Sequence, residues 1–391
     1  MNNNFKAELV KTDIIPRELN EISKKYKQMF LDDLKQEIIK TKQVVQCQCG
    51  SKNLEVLAKI DRFGLPFESL ICKDCGLVIT NPQIAEESLP YYYDKYYHPL
   101  NYGKEHLENQ EALFANGQGA KIFNILKPYL PNKRKLRVLE VGAGTGNVLK
   151  EFKEEAKKNN IIIDEIGTEY SNDCIKIAKE KYNIDIIYGD IQTVVNKNLK
   201  FDIIILSHVF EHFTDLKKEL NNLKFIMDKD TLLYIEVPGI KAIHKSEYYG
   251  FSLLGYLIHA HMYNFTKNTL ENILQINGFK TIFSNENVEA IFKIGIEKNI
   301  KINNDYEEVY SYLKRLYNSY DLLKEVADIK INNIRRWLDK EKEEKANIRR
   351  WLDKEKEEKK KLKEILKEYE ETNILFKIKI LKKIIKYIKE M

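Results

Sequence analysis

A glycine-rich turn between an apolar strand and a helix is the first candidate for binding chemistry. Residues 139–146 read LEVGAGTG, directly after the apolar start of a strand. Glycines permit positive φ and a close backbone approach to a ligand, and the following helix N-terminus offers unpaired N–H groups. The turn is a candidate nucleotide-binding loop, although glycines used only for turning would give the same string. Its candidate contacts are Glu140, Gly142, Ala143, Gly144 and Gly146.

Polar residues also end the next three predicted strands. Glu169 ends the second, Asp190 ends the third, and Ser207 and His208 end the fourth. Ligands of open α/β sheets bind outside the carboxyl ends of parallel strands. An acid at the second end can accept hydrogen bonds from both ribose hydroxyls, and Asp190 is placed to meet an adenine amino group. The ordered series predicts an adenosine-type ligand.

Histidines are concentrated near the same predicted edge. Of the seven in the chain, five lie between residues 208 and 261. Histidine suits proton transfer because its pKa lies near neutrality. We expect His212 or His261 to act as a base, with His208 nearer the cofactor and Glu211 beside them; the alternative is that these histidines only pack around the loop. The candidate catalytic residues are His208, Glu211, His212 and His261.

Four of the five cysteines form two close pairs. Cys47 and Cys49 precede Gly50, and Cys72 and Cys75 precede Gly76. Four thiolates from two turns can close a tetrahedral Zn²⁺ site, which would be structural because no coordination position stays open. The first pair is unusual, because Gln46 stands where a regular CxxCG motif has its cysteine. Reduced cysteines in a degenerate module are the alternative.

Residues 110–296 resemble the class I S-adenosylmethionine (SAM)-dependent methyltransferases. The loop from Glu140 to Gly146 matches their first motif, and GxGxG fits it better than the dinucleotide pattern GxGxxG. The resemblance implies that Glu140 and the first glycines hold the amino-acid end of SAM and that Glu169 holds the ribose. It also implies that Asp190 holds the adenine, with Ile191 against the ring. The segments SHVFEHFTD and HMYNFTKNTLENILQINGF resemble blocks of sugar and small-molecule methyltransferases.

The region around the cysteines carries a second resemblance. Residues 47–82 are similar to the N-terminal zinc modules of bacterial sugar methyltransferases, and Asp61-Arg62-Phe63-Gly64 fits those of surface-polysaccharide gene clusters. The resemblance implies a module that covers the active site and helps to hold the acceptor. The tyrosines from Tyr91 to Tyr102 either stack on sugar faces or belong to an interdomain core.

Apolar runs alternate with helical patterns from residue 136 to residue 296. This alternation predicts an α/β fold, a Rossmann-like doubly wound parallel sheet of the class I methyltransferase type. A small N-terminal zinc module and a long C-terminal helix or coiled coil flank it. The predicted segments are 1–43 (helical), 44–103 (zinc module), 104–303 (methyltransferase domain), 304–373 (long helix or coiled coil) and 374–391 (basic amphipathic helix).

The C-terminal part carries only helical signals. NIRRWLDKEKEEK begins at Asn333 and again at Asn347, a spacing of two heptads. The heptad frame places Leu313, Ile334 and Trp337 on one seam, but glutamates interrupt it, so a single solvated helix is the alternative. Residues 374–391 predict a basic amphipathic helix that binds either an anionic membrane surface or another copy of the chain.

Composition limits the remaining choices. The chain has 391 residues, 32% of them charged, and a net charge of +6. Lysine is balanced by glutamate, so we expect no nucleic-acid partner. Without an export signal or a long apolar run, we expect a cytoplasmic protein, in peripheral contact with the membrane if the last helix binds lipid.

These observations and resemblances predict SAM-dependent methyl transfer to a sugar or surface-glycan acceptor, with O-methylation favoured over C- or N-methylation. The alternatives are a methyltransferase for another small molecule or a phosphorylated glycan, and a non-catalytic SAM-fold scaffold. The acids and glycines of the complete SAM set argue against the scaffold. SAM and a structural Zn²⁺ are the expected cofactors, and a homo-oligomer is possible through the coiled coil.

Overall fold

The computed structural model describes residues 18–104, 117–296 and 302–352, with Ile378 and Lys382. The chain divides into two units, Met1–Tyr320 and Asp321–Met391. The predicted amphipathic helix at 374–391 and the heptads after Leu352 lie outside the described residues, apart from those two positions. Within the described part, no helix has both the length and the apolar character needed to cross a bilayer.

The strands, in chain order, are β1 (Thr41–Lys42), β2 (Leu54–Ala58), β3 (Glu68–Cys72), β4 (Val78–Asn81), β5 (Gln83–Ile84), β6 (Lys135–Val141), β7 (Ile162–Glu169), β8 (Ile186–Tyr188), β9 (Phe201–Ser207), β10 (Met227–Glu236), β11 (Tyr263–Asn264), β12 (Phe279–Ser284) and β13 (Glu289–Ile294). The α-helices are α1 (Glu21–Lys35), α2 (Leu89–Tyr92), α3 (His98–Tyr102), α4 (Gln118–Leu126), α5 (Asn147–Lys158), α6 (Asn172–Ile177), α7 (Ile191–Asn196), α8 (Leu216–Ile226), α9 (Leu253–Tyr256), α10 (Lys267–Ile276) and α11 (Tyr306–Leu352).

Seven strands form the main sheet in the order β12-β13-β10-β9-β6-β7-β8. The five strands from β10 to β8 are parallel. The last strand departs from the predicted parallel pattern, because β13 runs antiparallel to both β10 and β12. A short connection joins β12 to β13, and a parallel neighbour would require a long crossover.

Burial explains why the central strands carry unbroken apolar runs. Ile203, Ile204, Ile205 and Leu206 of β9 are all fully buried. Alternate residues point to opposite faces of a sheet, and helices cover both faces here, so neither face tolerates a polar residue. The two faces accordingly belong to different core clusters, with Ile204 in one and Ile203 in the other.

The N-terminal module is a four-stranded antiparallel sheet in the order β11-β4-β3-β2. Its strand β11 comes from the region predicted to be methyltransferase domain, because Tyr263 pairs with Ile79 and Asn264 with Val78. Helix α1 packs against the same core through the fully buried Phe30. The boundary predicted after residue 103 therefore does not separate two independent cores.

Asp61 joins this module to the rest of the protein. Its Oδ1 accepts the backbone N–H groups of Phe63 and Leu65, each at 2.9 Å. Its Oδ2 accepts Nδ1–H of His259 at 2.6 Å and the backbone N–H of that residue at 3.2 Å. Nε2 of His259 lies 2.8 Å from the hydroxyl of Tyr92. Asp61 and His259 are both buried, so this contact is shielded from water.

The first turns of α11 pack onto the module as well. Val309 and Leu313 are fully buried in one cluster with Leu57 and Ile71. The heptad frame assigns Leu313 to a coiled-coil seam, but the protein uses this residue in its own core. Helix α11 is continuous to Leu352, and a coiled coil in its later part stays a prediction.

We expect Asp61→Ala to lower the free energy of unfolding by about 3–5 kcal/mol, because it leaves a buried histidine and two buried N–H groups without their acceptor. Urea unfolding monitored by circular dichroism measures the change. Asp228→Ala, at a side chain that is 69% exposed, is the control and should change stability by less than about 0.5 kcal/mol. Equal stability of the two variants would contradict the role given to Asp61.

Candidate active site

The predicted glycine loop follows β6 and leads into α5. Gly142, Gly144 and Gly146 have φ of 65°, 51° and 77°, a region that strains residues with a side chain. A Cβ on Gly142 would lie 2.7 Å from Cγ2 of Val209, so this turn also has no space for a side chain. A backbone hydrogen bond holds the loop against β7, because the N–H of Ala143 donates to the carbonyl of Thr168 at 2.8 Å.

Glu169 and Asp190 lie where the sequence predicts, at the ends of β7 and β8. Oε2 of Glu169 accepts the N–H of Gly144 at 3.0 Å, so the acid touches the glycine loop. Oδ1 of Asp190 caps α7 by accepting the N–H of Thr193 at 3.2 Å. The hydroxyl of Tyr170 donates to Oδ2 of Asp190 at 3.0 Å. The glycine loop, Glu169 and Asp190 therefore follow neighbouring parallel strands at one edge of the sheet, and Ile191 next to Asp190 is buried.

Glu140 lies beneath the loop with almost no exposure. Burial, and then the charge of Glu169, raise the pKa of its carboxyl well above the ordinary value, although the Leu149 backbone N–H acts in the other direction. Its Oε2 has no hydrogen-bond partner among the described residues. A buried acceptor without a donor favours a cationic or N–H-bearing ligand group at this position.

Helix α4 closes the side of this edge nearest Ser207. Nε2 of Gln118 donates to Oγ of Ser207 at 3.3 Å and also to Glu236. Nζ of Lys121 contacts Oε1 of Glu236 at 2.6 Å and Oε1 of Glu289 at 2.9 Å. The ion pairs hold the helix N-terminal turn against the ends of β9 and β10.

Glu211, His212 and His261 meet directly beyond the end of β9. Their ligand-type atoms lie within 4.8 Å of one another, and the two imidazole rings are 4.9 Å apart and nearly perpendicular. Glu211 is 1% exposed, and neither of its oxygens has a hydrogen-bond partner among the described residues. Nδ1 of His261 is likewise buried without one. These are the residue types of a proton-transfer site or of a small metal site.

Burial sets the protonation of these histidines. It lowers the pKa of His212, while the Glu211 charge opposes the change. It lowers the pKa of His261 well below the ordinary value, and the charge of His212 adds to this effect. Partial desolvation acts to lower the pKa of His208, whose side chain is half exposed, but the carboxylates of Glu211 and Glu236 together raise that pKa. His212 and His261 are therefore neutral near pH 7.

His208 occupies a strained backbone position at the end of β9. Its φ is 57°, uncommon for a residue with a side chain, and its N–H donates to the carbonyl of Glu236 at 2.8 Å. Its ring lies 3.8 Å from Oε1 of Glu211 on one side and 3.8 Å from Oε1 of Glu236 on the other. His208 therefore bridges the Glu211 group and the α4 side of the site.

Tyrosines of residues 89–102 cover the histidines. The rings of Tyr93 and Tyr97 each lie 6.0 Å from the ring of His212. The hydroxyl of Tyr93 is buried without a partner among the described residues. Burial raises the pKa of Tyr93, and the charges of Glu211 and then Glu169 raise it further. Tyr93 is thus close to both the predicted ribose acid and the histidine group.

The four predicted metal-ligand cysteines converge in the module. Sγ of Cys47 lies 3.5 Å from Sγ of Cys75, and Sγ of Cys49 lies 3.7 Å from Sγ of Cys72. A tetrahedral zinc site with Zn–S distances of about 2.3 Å requires sulfur atoms about 3.8 Å apart. The irregular first pair therefore reaches the required geometry. Cys174 is buried in α6, as predicted from its helical context.

Sequence reasoning missed several contributors to this site. Gln118 and Lys121 lie on α4, where the sequence predicted no site residue, and Asp61 and His259 are 198 positions apart in the chain. The available signals were the Asp-Arg-Phe-Gly string and the tyrosine-dense segment. Neither segment indicates from its own sequence which distant residues it contacts.

Residues 114–283 match the family model described as a methyltransferase domain. Among known proteins, the chain is similar to a ubiquinone/menaquinone biosynthesis C-methyltransferase of Campylobacter jejuni, with 25% identity over 26% of this chain and 45% of that protein. It is also similar to an uncharacterized methyltransferase of Staphylococcus carnosus, with 29% identity over 34% of this chain and 59% of that protein. The chain thus spans about half the length of the relatives it matches.

Solved structures give more distant matches. The CurJ carbon methyltransferase is 18% identical, with a TM-score of 0.37 over 51% of this chain and 61% of that one. The plantazolicin methyltransferase BamL is 17% identical, with a TM-score of 0.39 over 54% of this chain and 78% of that one.

The family match covers the strands that carry the glycine loop, Glu169 and Asp190, and the sheet order places these groups at one edge. Residues 114–283 therefore form a SAM-dependent methyltransferase domain.

Proposed function

We propose that this protein transfers a methyl group from SAM to a hydroxyl of a sugar, either nucleotide-linked or part of a growing surface glycan. The observation that carries the proposal is the position of the Glu211–His212–His261 group. It follows β9 directly, next to the loop and acids of the methyltransferase domain. A base and a cofactor site at one edge are what methyl transfer to an oxygen needs.

The residues at the edge fit SAM. The three glycines of the loop carry no side chain that could block a ligand, and Glu169 and Asp190 supply acceptors at the ends of two adjacent strands. The orphaned carboxyl oxygen of Glu140 suits the ammonium group of the amino-acid end. When bound, SAM supplies an electrophilic methyl group on its sulfonium sulfur.

His212 is the best-placed base. Its Nδ1 lies 2.9 Å from the carbonyl oxygen of Ala260, and a carbonyl can only accept, so the ring proton is on Nδ1. Nε2 then carries a lone pair, and it faces Oε1 of Glu211 at 3.8 Å. With SAM and the acceptor bound, Nε2 would take the proton of the acceptor hydroxyl as that oxygen is methylated. Glu211 stabilises the resulting imidazolium.

Binding of a divalent cation is the alternative role for Glu211, His212 and His261, since one carboxylate and two histidines are common metal ligands. Proton transfer needs only the observed pair, whereas a metal needs all three groups and further ligands. A chelator that leaves the cysteine cluster loaded separates the two, because the proton mechanism keeps its rate.

Tyrosines support a sugar as the acceptor. Tyr93 and Tyr97 present rings beside His212, and aromatic rings with a polar tip bind molecules that have both apolar faces and hydroxyls. Transfer to carbon or nitrogen is the alternative, and similar proteins include ones named as carbon methyltransferases. The histidine beside the site favours oxygen, since a hydroxyl must lose its proton. A non-catalytic scaffold is disfavoured because it does not need these acids.

The cysteine cluster is proposed to hold a structural Zn²⁺. Two sulfur–sulfur distances agree with a tetrahedral thiolate site. The cluster fixes the turn at Gly76, where an added Cβ would lie 2.7 Å from the backbone of Asp305. Zinc would therefore support the contact between the module and the start of α11.

His212→Asn should reduce turnover by about 10²- to 10⁴-fold, the usual contribution of a general base. SAM affinity should not change. The measurement is transfer of tritium-labelled methyl from SAM to a panel of nucleotide-linked sugars and glycan extracts. His244→Asn is the matched control, because that histidine is exposed and contacts Tyr312 instead. Equal rates for the two variants would remove His212 from the mechanism.

The wild-type rate should also depend on pH in a defined way. A base must be neutral, and the pKa of His212 is lowered from its ordinary value of 6.5. The midpoint of the decrease in rate with falling pH should therefore lie below pH 6.5. A decrease that is already complete at pH 6.5 would contradict this assignment.

Metal analysis of the purified protein should find one zinc per chain. Cys72→Ser should lose the metal and lower the melting temperature, because the remaining thiolates cannot close the site. Cys174→Ser should keep the metal, since that cysteine lies in α6 away from the cluster. Retention of full zinc by Cys72→Ser, or its absence from wild-type protein, would overturn the zinc assignment.

A further inference from the structure

Arg62 places a positive charge inside the protein, and its guanidinium forms no ion pair with a carboxylate among the described residues. The residue is 4% exposed. One terminal nitrogen donates to Oδ1 of Asn101 at 2.6 Å, and Nε is buried with no partner among the described residues. A guanidinium has five donors and stays charged in proteins. The Nε donor of this guanidinium is therefore unused among the described residues.

The carboxylate of the neighbouring Asp61 binds other donors. Both oxygens of Asp61 are already occupied by four N–H donors from Phe63, Leu65 and His259. The backbone N–H of Arg62 donates to the carbonyl of Leu257 at 2.8 Å, which fixes where its side chain starts. The tight turn thus separates the acid from the base, although they are adjacent in sequence.

Asn101 is oriented to hold the guanidinium in place. Its Nδ2 donates to the carbonyl of Tyr97 at 2.8 Å, so its oxygen must face Arg62. The guanidinium carbon lies 5.1 Å from the ring centre of Phe63 and 5.6 Å from that of Tyr248. An amide and two rings position a cation, but they do not neutralise it.

The guanidinium lies on the acceptor side of the site. Its charge lowers the pKa of His261, after burial and His212. Burial raises the pKa of Tyr249, the charge of Arg62 lowers it, and the charge of Glu211 raises it. Tyr97, which orients Asn101, packs against the ring of His212. Contacts through Asn101 and Tyr97 therefore connect Arg62 to the proposed base.

We propose that Arg62 binds a phosphate group of the methyl acceptor. The proposal rests on the proposed function and deepens it, because it makes the acceptor a phosphorylated or diphosphate-linked sugar. A guanidinium binds phosphate oxygens through paired N–H groups, for which Nε is available. The N-terminal module delivers this residue and so contributes to acceptor recognition.

Isothermal titration with inorganic phosphate and with pyrophosphate, each in the presence of S-adenosylhomocysteine, tests the site. The wild type should bind at least one of them, and Arg62→Gln should bind about 10- to 100-fold more weakly, as expected for loss of charged hydrogen bonds. Arg137→Gln, at a side chain that is 45% exposed, is the matched control and should bind as the wild type does. Preference for pyrophosphate indicates a nucleotide-linked sugar, and preference for phosphate indicates a phosphorylated glycan end.

Absence of phosphate and pyrophosphate binding to wild type, or equal binding by Arg62→Gln, would overturn the proposal. Binding of S-adenosylhomocysteine is measured in the same samples, so failure of the cofactor site is seen separately from failure of the anion site. If Arg62→Gln does not fold, Arg62→Lys replaces it. That variant keeps the charge but not the paired donors, and binding weaker than that of the wild type is expected.

Discussion

Asp61 is a buried carboxylate that accepts four hydrogen bonds, two from its own turn and two from His259, and the arrangement of the acceptor side depends on it. A buried carboxylate with no donors would be strongly unfavourable, so the turn and the histidine must stay together. His259 in turn contacts the hydroxyl of Tyr92 and lies among the rings of Phe30 and Phe67. Through this one group, the N-terminal module, the tyrosine segment and the residues before β11 take a common position, and Arg62 is placed as a consequence.

The cofactor side depends on a different constraint, the direction of the strands. Because β6, β7, β8 and β9 are parallel, their carboxyl ends meet at one edge, and the residues that follow them become neighbours. Glu169 makes the clearest link, since it accepts an N–H from the glycine loop. Tyr93 connects the two sides. Burial raises the pKa of its hydroxyl, and the charges of Glu211 and Glu169 both raise it further. The site thus combines a sheet edge that any member of the fold provides with a cover that comes from the module.

Local patterns predicted the sheet side well. The apolar runs gave β6, β7 and β9, and the glycine loop, Glu169 and Asp190 lie at the expected strand ends. The predictions were poorer where distant segments meet. Strand β11 has only two residues, too few for a periodic signal, and its pairing with β4 depends on the whole fold. The role of Arg62 depends on burial and on a partner, Asn101, in another segment, and neither is visible in the string around it. Similarly, a heptad pattern cannot show that Leu313 packs in the core of its own chain and not against a second helix.

The central claim is that the edge formed by the glycine loop, Glu169 and Asp190 binds SAM. Isothermal titration of SAM and S-adenosylhomocysteine into the wild type, Glu169→Ala and Asp185→Ala tests it most directly. Asp185 is a matched control because it is a nearby acid whose side chain is 79% exposed. We expect wild type and Asp185→Ala to bind both molecules. Glu169→Ala should bind them about 10- to 100-fold more weakly, because it loses the charged acceptor for the ribose. Folded wild-type protein that binds neither molecule, or Glu169→Ala that binds them equally well, would contradict it.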